Sequence, residues 1–322
     1  MEHEMTEQYT MEINALTQKK RYRQINRVLI WQADASPWGD GRFLADCCYN
    51  GFGPADRNVI KSVAKSIMSV CVGIALDQEI FKSLDEPVYR FIPEFAEGRD
   101  PRHRQITLAH LLTMTSGIYW NGGIHYHCPM MTQMRRSGDW ISHIADCAVT
   151  DAPGARYNYK EWDILLLARL LDHACGDLYD FITDHLYKPL DIVCGEEYRW
   201  YKSPCGVYYS VAEGDQGAEE HRSSLSAYDL LKIGRLFLQD GIYQDRQIVS
   251  ASYCRQAAAP SRRNPGYGFL WWVGQDWYGC RGFGGQSVTV LPGKNAIIIT
   301  QATPTARGMA YDDVIQTCAN LL

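Results

Sequence analysis

A serine and a lysine stand three residues apart at the start of an apolar segment, "NVIKSVAKSIMSVCVGIAL", which runs from Asn58 to Leu76. The length and apolar character of this segment predict a buried helix. Three residues make about one helical turn, so the side chains of Ser62 and Lys65 should face the same way. A lysine that enters an apolar helix is costly unless its charge is used or lost. The pair is therefore a candidate for chemistry.

The chemistry that this pair could perform is nucleophilic attack by the serine. A serine hydroxyl is a weak nucleophile at neutral pH and needs a base within hydrogen-bond distance, and a desolvated lysine one turn away can be that base. Backbone N–H groups at a helix N-terminus can also stabilise an oxyanion near Ser62. The alternative is that Ser62 only caps the helix and that Lys65 extends its ammonium group to the surface. The spacing alone leaves both interpretations open.

The composition favours a globular protein that acts on small molecules or peptides. The chain has 322 residues, of which 46% are hydrophobic and 21% are charged, which suffices for one large domain or two ordinary ones. Its net charge is −5, and acidic and basic residues are interspersed along the chain rather than forming blocks. No basic surface for nucleic acid is expected from this distribution.

The sequence also predicts a protein of the cytoplasm that does not associate with membranes. Its N-terminal stretch is polar and lacks an apolar signal core. No segment reaches the roughly 18 apolar residues of a membrane span. The eleven cysteines are odd in number and include no CxxC pair. Without a signal sequence, this pattern indicates reduced thiols in a cytoplasmic protein.

Two short motifs could suggest a metal or a nucleotide, and neither is convincing. The motif "HYHC" at 125–128 has no second group of ligands at a suitable spacing, so a loop with solvent-facing histidines is favoured. The motif "GFGGQ" at 282–286 lacks the following helix and acidic residue of a nucleotide site. The sequence therefore predicts neither a metal nor an organic cofactor.

Strand patterns lie at both ends of the chain and helical patterns lie between them. Strands are predicted in "INRVLIWQAD", "GRFLADCCYNGFG", "GYGFLWWVG", "SVTVLP" and "NAIIITQA". Besides a polar helix over about 1–25 and a final helix, helices are predicted in the segment from Ser62, in "ITLAHLLTMTSGIYW", in "YKEWDILLLARLLDHACG" and in "SAYDLLKIGRLFLQDG". This order predicts an α+β fold, in which one antiparallel sheet is built from both termini and a mostly helical region is inserted between them.

Four segments in a fixed order give the chain a family resemblance. They are "NVIKSVAKSIMS", "ITLAHLLTMTSGIYW", "PGARYNYKEWDILLLARLL" and "GFGGQSVTVLPGKNAIIIT". Together they resemble the serine hydrolases of the class C β-lactamase and penicillin-binding-protein superfamily, and they are most similar to its esterase and 6-aminohexanoate-dimer hydrolase branch. The resemblance extends from about Arg27 to the end of the chain. It implies a single β-lactamase-like catalytic domain over 1–322, with a sheet subdomain at about 1–60 plus 226–322 and a helical subdomain at about 61–225.

The resemblance implies roles for three catalytic residues. Ser62 of "SVAK" takes the place of the acylated serine of the family, and Lys65 takes the place of its partner base. The tyrosine motif of the family follows "PG", and in "PGARYNYKE" its register favours Tyr159 over the neighbouring Tyr157. A tyrosine hydroxyl beside a lysine ammonium can pass a proton to the leaving group. The alternative is that Tyr159 only packs at the start of its helix.

The resemblance also implies substrate-binding residues. The third motif of the family, Lys or His followed by Ser or Thr and then Gly, places its glycine at Gly282, with a possible slip of two residues along the glycine run. The backbone N–H of Phe283 would then join that of Ser62 in an oxyanion hole. Trp120, which follows "TSG", is expected either to shape an apolar pocket over the site or to belong to the core.

Two positions depart from the family pattern. Where β-lactamases have Tyr-x-Asn, this chain has Tyr159-Lys160-Glu161, and where they have the cation of the third motif, it has Cys280. Glu161 is expected to face the substrate and to repel a carboxylate. Arg281 is expected to point away from the face that Cys280 occupies. These departures argue against antibiotic hydrolysis, whereas the Ser62–Lys65–Tyr159 group remains complete.

The resulting hypothesis is a serine hydrolase that cleaves an ester or amide bond of a small molecule through an acyl-enzyme on Ser62. Two alternatives remain open. One is a peptidase of the same fold that acts on D-amino-acid or linear amide substrates. The other is a catalytically silent, penicillin-binding-like sensor. The sequence predicts neither the acyl group, nor the leaving group, nor the oligomeric state.

Overall fold

The computed structural model describes residues 2–34, 40–97, 100–122, 128–193, 195, 198–209, 223–305 and 310–322. The α-helices of these residues are α1 Glu2–Thr17, α2 Val63–Asp77, α3 Leu108–Leu112, α4 Pro129–Arg136, α5 Trp140–Ala145, α6 Glu161–Cys175, α7 Leu178–Ile182, α8 Ala227–Leu238, α9 Ala251–Ala257 and α10 Asp312–Leu321. The strands are β1 Ile25–Gln32, β2 Arg42–Cys48, β3 Arg57–Val59, β4 Tyr201–Lys202, β5 Tyr208–Tyr209, β6 Ser224–Ser226, β7 Ile242–Tyr243, β8 Arg246–Gln247, β9 Trp272–Val273, β10 Tyr278–Gly282, β11 Gln286–Leu291 and β12 Ala296–Ala302.

The largest sheet in the described part of the chain has six strands in the order β2-β1-β12-β11-β10-β9, and all of its pairs are antiparallel. Strand β1 pairs with β12, so that Leu29 lies opposite Ile299 and Ile30 lies opposite Ile298. Strand β1 also pairs with β2. The sheet is thus assembled from the two ends of the chain, as the sequence predicts.

Helices cover both faces of this sheet, so every residue of its central strands β11 and β12 is buried, the polar ones included. On one face, Ile13 of α1 and Val314 of α10 belong to the same buried cluster as Ile298 of β12. On the other face, α8 contacts β11 and β12. Its Gly234 lies so close to the sheet that a Cβ atom would stand 3.0 Å from Val288. The helices fix the sheet between two apolar layers.

The chain divides into two compact units. The first comprises Met1–Ala64, Ser223–Arg255 and Trp271–Leu322, and it contains the six-stranded sheet. The second comprises Lys65–Arg222 and Gln256–Leu270. The chain passes from the first unit to the second within α2, between Ala64 and Lys65.

Helix α6 is the centre of the second unit. It contacts α3, α5, α7 and β5, and all its residues from Glu161 to Ala168 are buried. It ends before Gly176, which has a positive φ of 85°, a conformation that favours glycine and does not continue a helix. Because the whole first turn is buried, the carboxylates of Glu161 and Asp163 must find partners inside the protein. The start of this helix is where the site residues of the second unit lie.

Three predicted elements are shorter in the structure than the sequence predicts. The polar helix predicted over about 1–25 ends at Thr17. The pattern of residues 106–120 predicts one helix, yet α3 ends at Leu112, and Met114 has a left-handed φ of 55° that cannot continue a helix. The strand predicted around Trp271 forms only β9, because Leu270 also has a positive φ, of 61°. Trp271 is fully buried and Trp272 is only partly buried, as alternation along a strand predicts.

The described residues allow two statements about membranes and thiols. No helix among them is both long enough and apolar enough to span a bilayer. The cysteines among them are free thiols, and those at 47, 71, 128, 254, 280 and 318 are buried.

Candidate active site

Ser62 lies in a tight turn that opens directly into α2. The backbone N–H of Val63 donates to the carbonyl of Ile60 at 3.1 Å, and that of Ala64 donates to the carbonyl of Lys61 at 3.1 Å. Lys61 has a left-handed φ of 50°, a conformation that costs a non-glycine residue free energy and is enriched at functional sites. Ser62 itself is 7% exposed. The turn therefore holds the hydroxyl at a helix start, as the sequence predicts.

Gly282 ends strand β10 and lies against the chain that leads into this turn. A Cβ atom at Gly282 would stand only 2.5 Å from the carbonyl oxygen of Ile60. Ile60 is two residues before Ser62, so the end of β10 and the serine turn belong to one arrangement within the first unit. A glycine is required here because a side chain would collide with backbone.

Phe283 is the first residue of the turn that follows β10. Gly285 N–H donates to the Gly282 carbonyl at 3.3 Å, and Gly284 and Gly285 have φ values of 82° and 99°. Those conformations favour glycine, which explains the glycine run. The proposed part of the Phe283 N–H in an oxyanion hole stays a prediction.

Lys65 lies in the first turn of α2, three residues after Ser62, and is buried to 1% exposure. Its Nζ donates to Glu161 Oε1 at 2.9 Å and to Oε2 at 3.2 Å. The same Nζ stands 5.3 Å from the centre of the Tyr159 ring. Because a buried charge needs a close partner, the Glu161 carboxylate explains how the protein holds this ammonium group inside. The second unit thus brings together Lys65, Tyr159 and Glu161.

The placement of Glu161 corrects the expectation that its carboxylate faces the substrate. Glu161 is 4% exposed, and both of its oxygens are directed at Lys65. It is the first residue of α6, where the positive end of the helix dipole also favours a carboxylate. Its charge is therefore largely balanced by the protein, so repulsion of a substrate carboxylate is a weaker effect than the sequence indicates.

The two neighbouring tyrosines have different surroundings. Tyr159 lies beside Lys65, whereas the ring of Tyr157 packs on Tyr267, with 5.3 Å between the ring centres. Burial, followed by the proximity of Tyr159, raises the pKa of the Tyr157 hydroxyl well above its usual range. A tyrosine that exchanges a proton with Lys65 must lie close to it. The position of Tyr159 beside Lys65 therefore favours Tyr159, the residue that the family register indicates.

A second buried group holds the segment that carries Tyr159 and Glu161. Lys160 lies between them, is 1% exposed, and its Nζ donates to Ser116 Oγ at 3.2 Å and to the Ile118 carbonyl at 3.1 Å. The Ser116 hydroxyl donates to the Asp163 carboxylate. Burial raises the pKa of Asp163, against the opposite effects of Lys160 and Ser116. This group fixes the start of α6, so Tyr159 and Glu161 are held in place.

Trp120 lies in the core of the second unit. It is 7% exposed, and its ring meets that of Trp162 edge-on, with 4.9 Å between the ring centres. The backbone carbonyl of Trp120 accepts from Asn158 Nδ2 at 3.4 Å. The structure thus gives Trp120 a packing role, and its contact with a substrate stays a prediction.

The position of the third-motif cation holds a thiol that is out of reach of solvent. Cys280 is fully buried within β10. The neighbouring Arg281 lies over the Trp277 ring at 4.4 Å, and its Nε is 4.0 Å from Asp312. Burial lowers the pKa of Arg281 to about 10, while Asp312 and then Cys280 act in the opposite direction. Arg281 is thus occupied by contacts within the first unit.

No group of three or more His, Cys, Asp or Glu side chains that could hold a metal ion occurs in the described ranges. Residues 125–127 of the "HYHC" motif lie outside the described residues, so the interpretation of that motif as a solvent-facing loop stays a prediction. The site residues described above are a hydroxyl, an ammonium, a phenol and a carboxylate, which are groups for acyl and proton transfer.

Comparison with known proteins agrees with this arrangement of elements. The Beta-lactamase family model matches residues 52–315. PbpX of Bacillus subtilis (strain 168), a proposed penicillin-binding protein, is 25% identical over 266 residues, which are 77% of this chain and 62% of that protein. The chain thus spans less than two thirds of the length of this relative.

Two solved structures have a similar fold at low sequence identity. EstCE1, described as a hydrolase with promiscuous acyltransferase activity, superposes with a TM-score of 0.73 and 15% identity over 98% of both chains. A proposed 6-aminohexanoate-dimer hydrolase from Bacillus anthracis gives a TM-score of 0.68 and 14% identity over 95% of this chain and 80% of that chain. The β-lactamase-like fold and the superfamily predicted from the sequence are confirmed. Because the family model matches most of the chain, the chain belongs to the Beta-lactamase family.

Proposed function

We propose that this chain is a serine hydrolase that cleaves an ester or amide bond through an acyl-enzyme on Ser62. The observation that carries the proposal is the buried ammonium of Lys65, three residues after Ser62, with Glu161 Oε1 at 2.9 Å and the Tyr159 ring centre at 5.3 Å. A surface lysine that merely extends into solvent would not be enclosed in this way. The interpretation of Lys65 as a snorkelling residue is therefore disfavoured.

Each residue has one role in the proposed reaction. Ser62 Oγ attacks the carbonyl carbon while Lys65 takes its proton. The Phe283 and Ser62 N–H groups stabilise the oxyanion that forms. Tyr159 passes a proton to the leaving group, and water then hydrolyses the acyl-enzyme by the same path in reverse.

The names of the similar proteins support hydrolysis but span several substrates. EstCE1 is described as a hydrolase, a second neighbour as a proposed 6-aminohexanoate-dimer hydrolase, and PbpX as a proposed penicillin-binding protein. The alternatives are a peptidase of the same fold and a silent sensor. A sensor is disfavoured because apolar residues of the same size would stabilise the fold at least as well as the buried Lys65–Glu161 pair. Stability alone therefore does not explain why the chain has this pair, whereas catalysis does.

Small uncharged esters or amides should be better substrates than penicillins and cephalosporins. The antibiotic carboxylate needs a cation, yet Cys280 is neutral and buried, and Arg281 is held by Trp277 and Asp312. A panel of short-chain nitrophenyl esters, short amides and nitrocefin measures this directly. The kcat/KM for at least one ester or amide is expected to exceed that for nitrocefin, and the reverse order across the whole panel would contradict the substrate class. A panel without any turnover would favour the sensor.

Gly282→Ala should slow the hydrolysis of the best ester by about 10²-fold, because a displacement of about 1 Å at the reacting groups has an effect of this size. The new Cβ atom would stand 2.5 Å from the Ile60 carbonyl oxygen and must push β10 away from the serine turn. Gly293→Ala is the matched control, because a Cβ atom there meets no atom within 4 Å. Equal rates for the two variants would show that the end of β10 has no part in the site.

A further inference from the structure

Glu161 is a charged residue in contact with Lys65. It stands where the family motif has asparagine, so the motif gives it no role. We propose that Glu161 acts through Lys65 as a proton store and positioning residue, so that Lys65 can take the proton of Ser62. This inference rests on the proposed function and adds a residue to it. Three observations carry it: the distances of 2.9 and 3.2 Å to Lys65, the burial of both side chains, and the fixed start of α6.

A protonated Lys65 cannot accept the proton of Ser62, so the lysine needs a group that can take a proton from it. The Lys65 ammonium contacts the Glu161 carboxylate and lies beside the ring of Tyr159. Lys160, which lies between these two residues in the chain, directs its ammonium to Ser116 instead. The Glu161 carboxylate is thus a proton acceptor within hydrogen-bond distance of Lys65, and an asparagine could not serve in this way.

The proton movements balance over one acylation. A proton passes from Lys65 Nζ to Glu161 Oε1 and leaves an amine and a carboxylic acid. The amine takes the Ser62 proton as Oγ bonds to the carbonyl carbon and the π electrons move to the carbonyl oxygen. When the bond to the leaving group breaks, Tyr159 gives that group a proton and regains one from Lys65. The Glu161 proton then returns to the Lys65 amine, which restores the starting ion pair.

Glu161 is the first residue of α6 and follows Lys160, whose ammonium is fixed by Ser116 and the Ile118 carbonyl. Alternate residues of this extended entry point in opposite directions, so Tyr159 and Glu161 both reach Lys65 while Lys160 is held on the other side. The carboxylate therefore has little freedom, and it keeps Lys65 Nζ in one position.

The test is the rate at which a fluorophosphonate probe modifies Ser62 in the full chain. The fluoride leaving group of this probe needs no proton from Tyr159, so the rate reports on the activation of the serine. Glu161→Gln is expected to slow labelling by about 10²-fold. Glu161→Asp, which keeps a shorter carboxylate, is expected to be slower than wild type by only about tenfold. All rates are divided by the folded fraction, measured by circular dichroism.

Glu86→Gln is the matched control, because it makes the same change in a second buried glutamate, whose carboxylate accepts from the Lys82 N–H at 2.9 Å and lies 3.5 Å from Arg90. It should lower the melting temperature but leave the labelling rate of the folded protein within a factor of about three. A wild-type labelling rate in Glu161→Gln would overturn the inference, as would an equally slow Glu86→Gln. If Glu161→Gln does not fold, Glu161→Asp is compared with the equally short Glu161→Asn, and equal labelling rates in these two variants overturn the inference. If the wild-type protein is not labelled at Ser62, the proposed function itself fails.

Discussion

Ser62→Ala is expected to reduce ester hydrolysis by several orders of magnitude while the protein remains folded. The change removes the oxygen that attacks the carbonyl carbon of the substrate. The other residues of the site cannot form the acyl-enzyme in its place. Its effect on stability should be small, about 1 kcal/mol, because the loss resembles that of a helix cap. Steady-state rates with the best ester and a thermal melt measure the two effects separately.

Ser66→Ala is the control, and it is expected to reduce stability without reducing the rate of hydrolysis. The Ser66 hydroxyl is buried on the same helix and donates to the Leu270 carbonyl at 2.6 Å. Its removal leaves that carbonyl without this donor, which should cost about 1–3 kcal/mol of unfolding free energy. The rate of the folded protein should remain near that of wild type. If Ser66→Ala lost its activity and Ser62→Ala kept it, the two serines would have been assigned the wrong way round.

Lys65→Met and Tyr159→Phe should each lower the hydrolysis rate by several orders of magnitude, and the double variant should be little slower than the slower single variant. The reason is that Lys65 Nζ lies beside the Tyr159 ring and both belong to one path of proton transfer. Lys65→Met should also reduce stability by about 3–5 kcal/mol, because it leaves the buried Glu161 carboxylate without its cation. Rates and melting temperatures of all three variants test this account.

Tyr157→Phe is the matched control for the tyrosine. Its ring packs on Tyr267 in the same way whether or not the hydroxyl is present, and burial raises the pKa of that hydroxyl. Its activity should therefore stay close to that of wild type. A large loss in Tyr157→Phe with a small loss in Tyr159→Phe would mean that the family register is shifted by two residues. Fully additive losses in the double variant would argue against a shared role of Lys65 and Tyr159.

Much of the fold can be predicted because local patterns and tertiary environment agree. The apolar runs of β1 and β12, the helix from Ser62 and the stop at Gly176 all carry signals that the structure uses. The helix predicted over residues 106–120 is too long, since "LLTM" is apolar enough to continue α3 and nothing local indicates the left-handed φ of Met114. Positive φ values in non-glycine residues depend on tertiary packing, which one sequence does not reveal.

The candidate site shows the same limit. The spacing of Ser62 and Lys65 identifies the pair because both lie on one helical turn, and the family register indicates Tyr159. Spacing along the sequence does not reveal the partner of Lys65, because Glu161 is 96 residues away in the chain. The signal that identifies it is the acidic residue at the position of the family asparagine. From the sequence this departure predicts a contact to substrate, whereas in the structure the carboxylate pairs with a buried lysine.

Mass spectrometry of the fluorophosphonate-treated protein tests the central claim most directly. The intact protein should gain the mass of one adduct, and peptide mapping should place that adduct on Ser62, with no labelling in Ser62→Ala. Ser66 and Ser69 lie on the same helix and are internal controls. An adduct on either of these serines, or an unlabelled wild-type protein that is fully folded, would contradict the proposal that Ser62 is the nucleophile.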